Sequence, residues 1–252
     1  MSLLVADSVT KRFAGITALS QVGLEVGEGE IVGLIGPNGA GKTTFFNCLL
    51  GLLKPDGGSI KFGDHDLSRV PTYRRSRLGI GRTFQRIELF TGMTVREHFL
   101  VADRAHSGRG ALWKDLCFLG RPSAQEQERA QAMLDLLALG PVADRVVESL
   151  SLGVGRLVEI GRALMTQPTL LLLDEPSSGL DRAETAELEQ TLLTVHRERN
   201  IAILLVEHDV DLVRHFVQRV YVLDFGTLIA SGPTDSVFAD SAVRKAYLGD
   251  IV

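Results

Sequence analysis

Gly36-Pro37-Asn38-Gly39-Ala40-Gly41-Lys42-Thr43-Thr44 is the stretch on which the reading of this chain turns. It fits the pattern G-x-x-x-x-G-K-[ST], and its flanks suit that pattern: residues 30–35 read as a buried strand and residues 43–53 as an apolar helix. Glycines let a backbone wrap closely around a polyphosphate, so that successive N–H groups aim at its oxygens. The helix opening at Gly41 adds the positive end of its dipole. Lys42 supplies a point charge for the β- and γ-phosphates, and the Thr43 hydroxyl is a ligand for Mg²⁺. A nucleotide site at a strand-to-helix turn follows.

On the N-terminal side, residues 3–13 and 17–26 alternate and carry β-branched side chains, which predicts an antiparallel β-layer. Gly27-Glu28-Gly29-Glu30 turns the chain into the strand before the phosphate loop, Gly57-Gly58 into a short strand at 59–62, and Gly63-Asp64 out of it. Later apolar runs at 170–173, 201–206 and 220–223 alternate with helical patterns, the signature of a parallel sheet covered by helices. From about residue 95 to 150 the apolar residues recur at helical spacing (Met133, Leu136, Leu137), broken by Gly108, Gly110, Gly120 and Pro122. The expectation is one domain over 1–252, an α/β core of residues 1–86 and 151–252 interrupted by a helical subdomain at 87–150.

Composition narrows the class. A chain of 252 residues, 45% hydrophobic and 23% charged, can bury a sizeable core. Its 27 basic and 31 acidic residues give a net charge of −4, without the basic excess of a nucleic-acid binder. The run Arg74-Arg75-Ser76-Arg77, extended by Arg82 and Arg86, reads as a solvated face or a partner-docking patch. Cys48 and Cys117 sit in apolar surroundings and suit a reducing compartment. Residues 1–10 lack the basic and apolar regions of a signal peptide, and the apolar runs are far shorter than a membrane span. A cytoplasmic chain that does not cross the bilayer is expected.

Leu170-Leu171-Leu172-Leu173-Asp174-Glu175 is a second phosphate-chemistry motif, a buried strand ending in two acids where open α/β sheets bind ligands. Asp174 is placed to hold Mg²⁺, directly or through water, and Glu175 to orient and deprotonate a water that attacks the γ-phosphate. His208 follows the next strand, emerging at the same sheet edge, where a histidine can bond the γ-phosphate and sense its presence.

With these pieces in order, the chain resembles the ATP-binding subunit of an ABC transporter over nearly its whole length. The resemblance implies a P-loop NTPase (RecA-like) core carrying the N-terminal antiparallel layer and the inserted helical subdomain. Residues 36–43 match the Walker A motif, 170–174 the Walker B motif and Glu175 the catalytic glutamate. Ser178-Gly179-Leu180-Asp181 matches the D-loop and His208 the switch histidine. Phe84-Gln85 matches the Q-loop, where Gln85 is implied to ligate Mg²⁺ and report to the membrane partner. Phe13 matches the aromatic that stacks on adenine.

Gly79-Ile80-Gly81-Arg82-Thr83-Phe84-Gln85, then Leu89-Phe90, Met93-Thr94-Val95 and the closing Ala246-Tyr247-Leu248-Gly249, look like the branched-chain amino acid uptake ATPases. Lipopolysaccharide-export ATPases share much of the same pattern, so an exporter subunit stays open as an alternative, as does a low-turnover regulatory partner of a second cassette. The family's signature, commonly LSGGQ, is here Leu150-Ser151-Leu152-Gly153-Val154. Ser151 and Gly153 can still address a γ-phosphate from a helix N-terminus, and Ser151 can cap that helix. Val154 cannot supply an amide side chain, and Gly155 and Leu157 replace the usual glutamine and arginine around a retained Arg156. Asp181 with Glu184 also forms a D-x-x-E capping pattern. The resemblance implies two ATP with Mg²⁺ sandwiched between two cassettes, identical or not. It also implies permease subunits in the membrane, a substrate-binding protein, and a place on the inner face of the cell membrane.

Overall fold

The computed structural model describes residues 1–83, 87–107 and 122–248. In chain order the strands are β1 (Ser2–Phe13), β2 (Ile16–Gly27), β3 (Ile31–Ile35), β4 (Gly57–Phe62), β5 (His65–Asp66), β6 (Ile80–Arg82), β7 (Leu170–Asp174), β8 (Ala202–Val206), β9 (Arg219–Asp224) and β10 (Thr227–Pro233). They form two sheets among the described residues, one ordered β2-β1-β4-β5 and a larger one ordered β10-β9-β3-β8-β7-β6. The first is antiparallel; in the second only β10 runs against its neighbour. The expected N-terminal layer and parallel sheet are both present. β5, β6 and β10 lie outside the expected strands. β6 has three residues, one of them glycine, too few for a period-2 pattern to register.

Every residue of β3, β7 and β8 is buried, the mark of strands covered on both faces. Because side chains alternate across a strand, Ile35, Leu171, Leu173 and Leu205 join one apolar cluster, while Leu34, Leu172, Leu204 and Val206 join another. The second cluster also takes Leu4, Val9, Leu19 and Val22 of the antiparallel layer and Phe45, Phe46 and Leu49 of the helix Lys42–Leu50. The helix that follows the phosphate loop is thus held between two sheets.

That helix ends sooner than its apolar pattern suggests. Gly51 takes a left-handed φ of 75° and closes the last turn by donating to the carbonyls of Asn47 and Cys48. A Cβ at Gly51 would lie 2.6 Å from the Arg75 guanidinium. Arg75 is only 6% exposed and donates to the carbonyls of Val70 (3.0 Å), Leu67 (2.6 Å), Leu49 (2.5 Å) and Cys48 (3.2 Å). The solvated-face reading of the basic run holds for Arg74 and Arg77 and fails for Arg75, which is a buried cap on the helix C-terminus. Cys48 is a buried free thiol, pushed up to about 11 by burial; Cys117 lies outside the described residues.

Between the sheet strands, the helices Val95–Ser107 and Ala124–Leu136 pack together. Arg129 grips Asp103 through two bonds of 2.6 Å, and Arg104 reaches Glu126 at 2.9 Å. Ser123 and Glu126 form a reciprocal capping box at the start of the second helix. Phe99 and Met133 join the cluster of Leu171 and Leu173 through the helix Leu152–Leu164. Gly161 permits that approach, since a Cβ there would meet the Phe99 ring at 2.6 Å.

His98 fixes the entry to this helical segment. Its Nε2 accepts from Phe90 N–H at 2.8 Å and its Nδ1 lies 2.8 Å from the Thr94 carbonyl, so the ring must be neutral with its proton on Nδ1. Burial lowers the His98 pKa below its ordinary 6.5 and Arg162 acts in the same direction, against the Thr94 carbonyl, Glu97 and Glu148. With the folded value depressed, the unfolded chain takes the proton first. Stability is therefore fully present above pH 6.5 and is lost as pH falls from 6.5 toward the folded value. In urea titrations between pH 7.5 and 5.5, the His98→Leu variant is expected to lose less stability than the parent, by up to about 1.4 kcal/mol per pH unit. Parallel curves would show that His98 is not held neutral.

Candidate functional site

β3 lies between β8 and β9, and the chain leaves its C-terminal end into residues 36–41 before entering the helix Lys42–Leu50. The ends of β7 and β8 bring Asp174-Glu175 and Glu207-His208 to the same edge, which is where open parallel sheets bind ligands. A cavity of about 590 Å³ opens there, lined by residues 38–44 and Glu175, with Ile16, Thr17, Ala18, Phe225 and Gly226 forming its far wall.

Two glycines make the loop possible. Gly36 has φ 152°, and a Cβ on it would sit 2.1 Å from the Leu223 carbonyl oxygen. Gly41 has φ 102°, and its Cβ would meet the Ala18 carbonyl at 2.9 Å. The β9–β10 turn pins the loop: Gly226 N–H donates to Ala40 at 2.9 Å while Ser20 N–H donates to Gly226 at 2.8 Å. No side chain caps the helix at Gly41, so its first-turn N–H groups and dipole face the cavity. Lys42 is 5% exposed and donates to the carbonyls of Gly36 (2.6 Å) and Pro37 (3.1 Å). Burial lowers its pKa, and the charges of Glu175, Asp174 and Glu207 oppose that.

Three carboxylates therefore face one ammonium. Burial pushes Asp174 up to about 6, helped by Glu175 and Glu207 and opposed by Lys42 and Arg156. Glu175 takes φ 45°, strained for a residue with a side chain, and is held there by its N–H to the Val206 carbonyl at 2.8 Å. His208 Nδ1 is 3.8 Å from Glu175 Oε1 and 3.7 Å from Glu207 Oε2. The excess of negative charge, with the Thr43 hydroxyl and the Asp174 carboxylate as hard oxygen donors, fits a divalent cation of the Mg²⁺ type. Gln85, the third expected ligand, lies outside the described residues, as do Phe84 and Arg86.

Ser151 caps the helix Leu152–Leu164, accepting from Val154 N–H at 3.3 Å. Asp181 caps Arg182–Arg199, accepting from Ala183 and Glu184 at 2.8 Å each, and Glu184 returns the bond. The other Glu184 oxygen accepts from Gly153 N–H at 3.4 Å, so one carboxylate joins the signature segment to the D-loop. Leu152, where the family has glycine, reaches over Gly179. None of Ser151, Gly153 or Asp181 lines the phosphate-loop cavity.

Phe13 stands at the end of β1, 43% exposed, with Lys11 Nζ 5.4 Å from its ring centroid. It is not among the cavity's lining residues; its register partner Ile16 is. Sequence reasoning missed Ile16, Thr17 and Gly226, which carry no motif. It also missed Glu207, whose signal was present: a charge closing an apolar strand just before His208, as Asp174 closes β7. Tyr247, read only as part of the closing motif, also reaches the phosphate loop. Its buried hydroxyl lies beside the Gly36 N–H and is pushed up to about 12 by burial, without a hydrogen bond of normal geometry.

A family model described as ABC transporter matches residues 19–178. The high-affinity branched-chain amino acid transport ATP-binding protein LivG of Salmonella typhimurium (strain LT2) is 41% identical over 251 residues, spanning 98% of each chain. The corresponding protein BraF of Pseudomonas aeruginosa is 38% identical over the same share of each. A solved nucleotide-free ATP-binding cassette from an ABC transporter superposes with a TM-score of 0.86 at 32% identity, over 99% of this chain and all of that one. A phosphate loop, two acids and a histidine gather at one edge of the sheet, and the chain belongs to the ATP-binding cassettes of the ABC transporter family.

Proposed function

We propose that this chain is the ATP-hydrolysing subunit of an importer for branched-chain or related amino acids. The likeness to LivG and BraF along nearly the whole chain supports that substrate class. Residues 36–44 hold the triphosphate of ATP, and Thr43, Asp174 and Gln85 hold Mg²⁺, which when bound neutralises phosphate charge. Glu175 orients and deprotonates the attacking water, His208 senses the γ-phosphate, and Phe13 closes over the base. Residues 1–86 and 151–252 form the catalytic core and 87–150 the helical subdomain.

One observation carries the dimeric part of this reading. Ser151, Gly153 and Asp181, joined through Glu184, lie away from the phosphate-loop cavity, so they serve a second cassette's nucleotide and not their own. A groove of about 450 Å³, lined by Arg77, Phe90, His106 and Arg162 among others, suits a segment of a permease subunit. Among the described residues no helix is long and apolar enough to cross a membrane. In this reading the chain attaches to the inner face of the cell membrane through such partners. Purification from membranes through a tag on this chain is the test. Two permease subunits, a second cassette and a binding protein carrying an aliphatic amino acid are expected; a lipid-export assembly would overturn the substrate class.

A further inference from the structure

Glu207 is 0% exposed, and it follows β8 directly, between the end of the strand and His208. Its carboxylate receives four donors. Oε1 accepts from Ser177 N–H (3.0 Å) and Ser177 Oγ–H (2.6 Å), and Oε2 accepts from the N–H groups of His208 (3.0 Å) and Asp209 (3.4 Å). Such a pattern uses the acceptor sites of both oxygens and leaves no place for a donor. Each oxygen holds a different segment. One anchors the chain two residues beyond Glu175, and the other anchors the residue that carries the switch imidazole.

Glu175 itself sits at φ 45°, a conformation that persists only where its surroundings over-determine it. Upstream, its N–H is tied to Val206; downstream, Ser178 N–H returns to its carbonyl at 3.1 Å and Ser177 is locked on Glu207. We propose that Glu207 is a positioning residue for hydrolysis, a buried clamp that fixes Glu175 and His208 relative to each other and so aims the base at its water. This rests on the reading of Glu175 as the base. Glu207 acts through its neighbours and does not line the phosphate-loop cavity.

Glu207→Gln keeps the shape but turns one oxygen into an amide donor, which must then face donors on Ser177 or on His208 and Asp209. The expected result is a fall in turnover number of roughly 10–100-fold, the scale of a misaligned reacting group. ATP binding is expected to stay within about threefold of the parent, the split that separates lost chemistry from lost binding. Ser177→Ala removes one bond from the same oxygen and is expected to give a smaller fall of the same kind. In a Glu175→Gln background, followed in single turnover, Glu207→Gln is expected to add nothing, because there is no base left to aim. Unchanged turnover in Glu207→Gln overturns the proposal. So does an equal loss of ATP binding, or an undiminished further fall in the Glu175→Gln background, since both mark a structural role. If Glu207→Gln does not fold, Ser177→Ala decides by the same measures. Undiminished turnover in Glu175→Gln alone would instead sink the base assignment.

Discussion

Glu175→Gln is expected to bind ATP as the parent does and to hydrolyse it about 10²–10⁴-fold more slowly. The amide matches the carboxylate in volume and can hold the same backbone conformation at φ 45°, but it cannot accept a proton from water. Nothing in the phosphate loop depends on that proton. Lys42 keeps its carbonyl partners on Gly36 and Pro37, and the first-turn N–H groups keep their aim. Binding and hydrolysis should therefore separate cleanly. Phosphate release gives the rate, titration with a fluorescent ATP analogue gives the affinity, and size exclusion with ATP should show a trapped dimer. Turnover equal to the parent's would remove Glu175 from the chemistry.

The second large effect is on folding. Arg75→Ala is expected to lower unfolding stability by about 3–5 kcal/mol, the range for loss of a buried charged hydrogen-bonding group. Four carbonyls, on Cys48, Leu49, Leu67 and Val70, lose their shared donor. Two of them end the helix that carries Lys42, where the dipole already favours a cation. Lysine is a poor replacement, because a single ammonium cannot spread over four acceptors as the planar guanidinium does. Chemical denaturation of both variants gives the comparison. A loss under 1 kcal/mol for alanine would mean that water satisfies those carbonyls instead.

The basic run shows why such a role escapes sequence reading. Arg74, Arg75 and Arg77 are chemically alike, and charge runs usually face solvent. Arg75 is selected by a helix end 26 residues earlier and by Gly51, which leaves it room. Glu207 is the same kind of case. Its partner Ser177 lies 30 residues away, on a different strand's exit loop. Phe13 shows what register adds: the hairpin puts its partner Ile16 into the cavity wall and leaves Phe13 beside it at the end of β1.

The sequence by itself determined the nucleotide site, the α/β class and the family. Each is written in residues close along the chain: a glycine loop between strand and helix, two acids ending an apolar run, a histidine one strand later. Local sterics and periodicity act over a few residues, so they can be read there. Only the tertiary structure decided which acid clamps which loop, which arginine is buried, and that Ser151 and Asp181 are joined through Glu184 away from the phosphate loop. Those outcomes depend on pairings between segments tens of residues apart, set by strand order and two-sided packing, which no local pattern records.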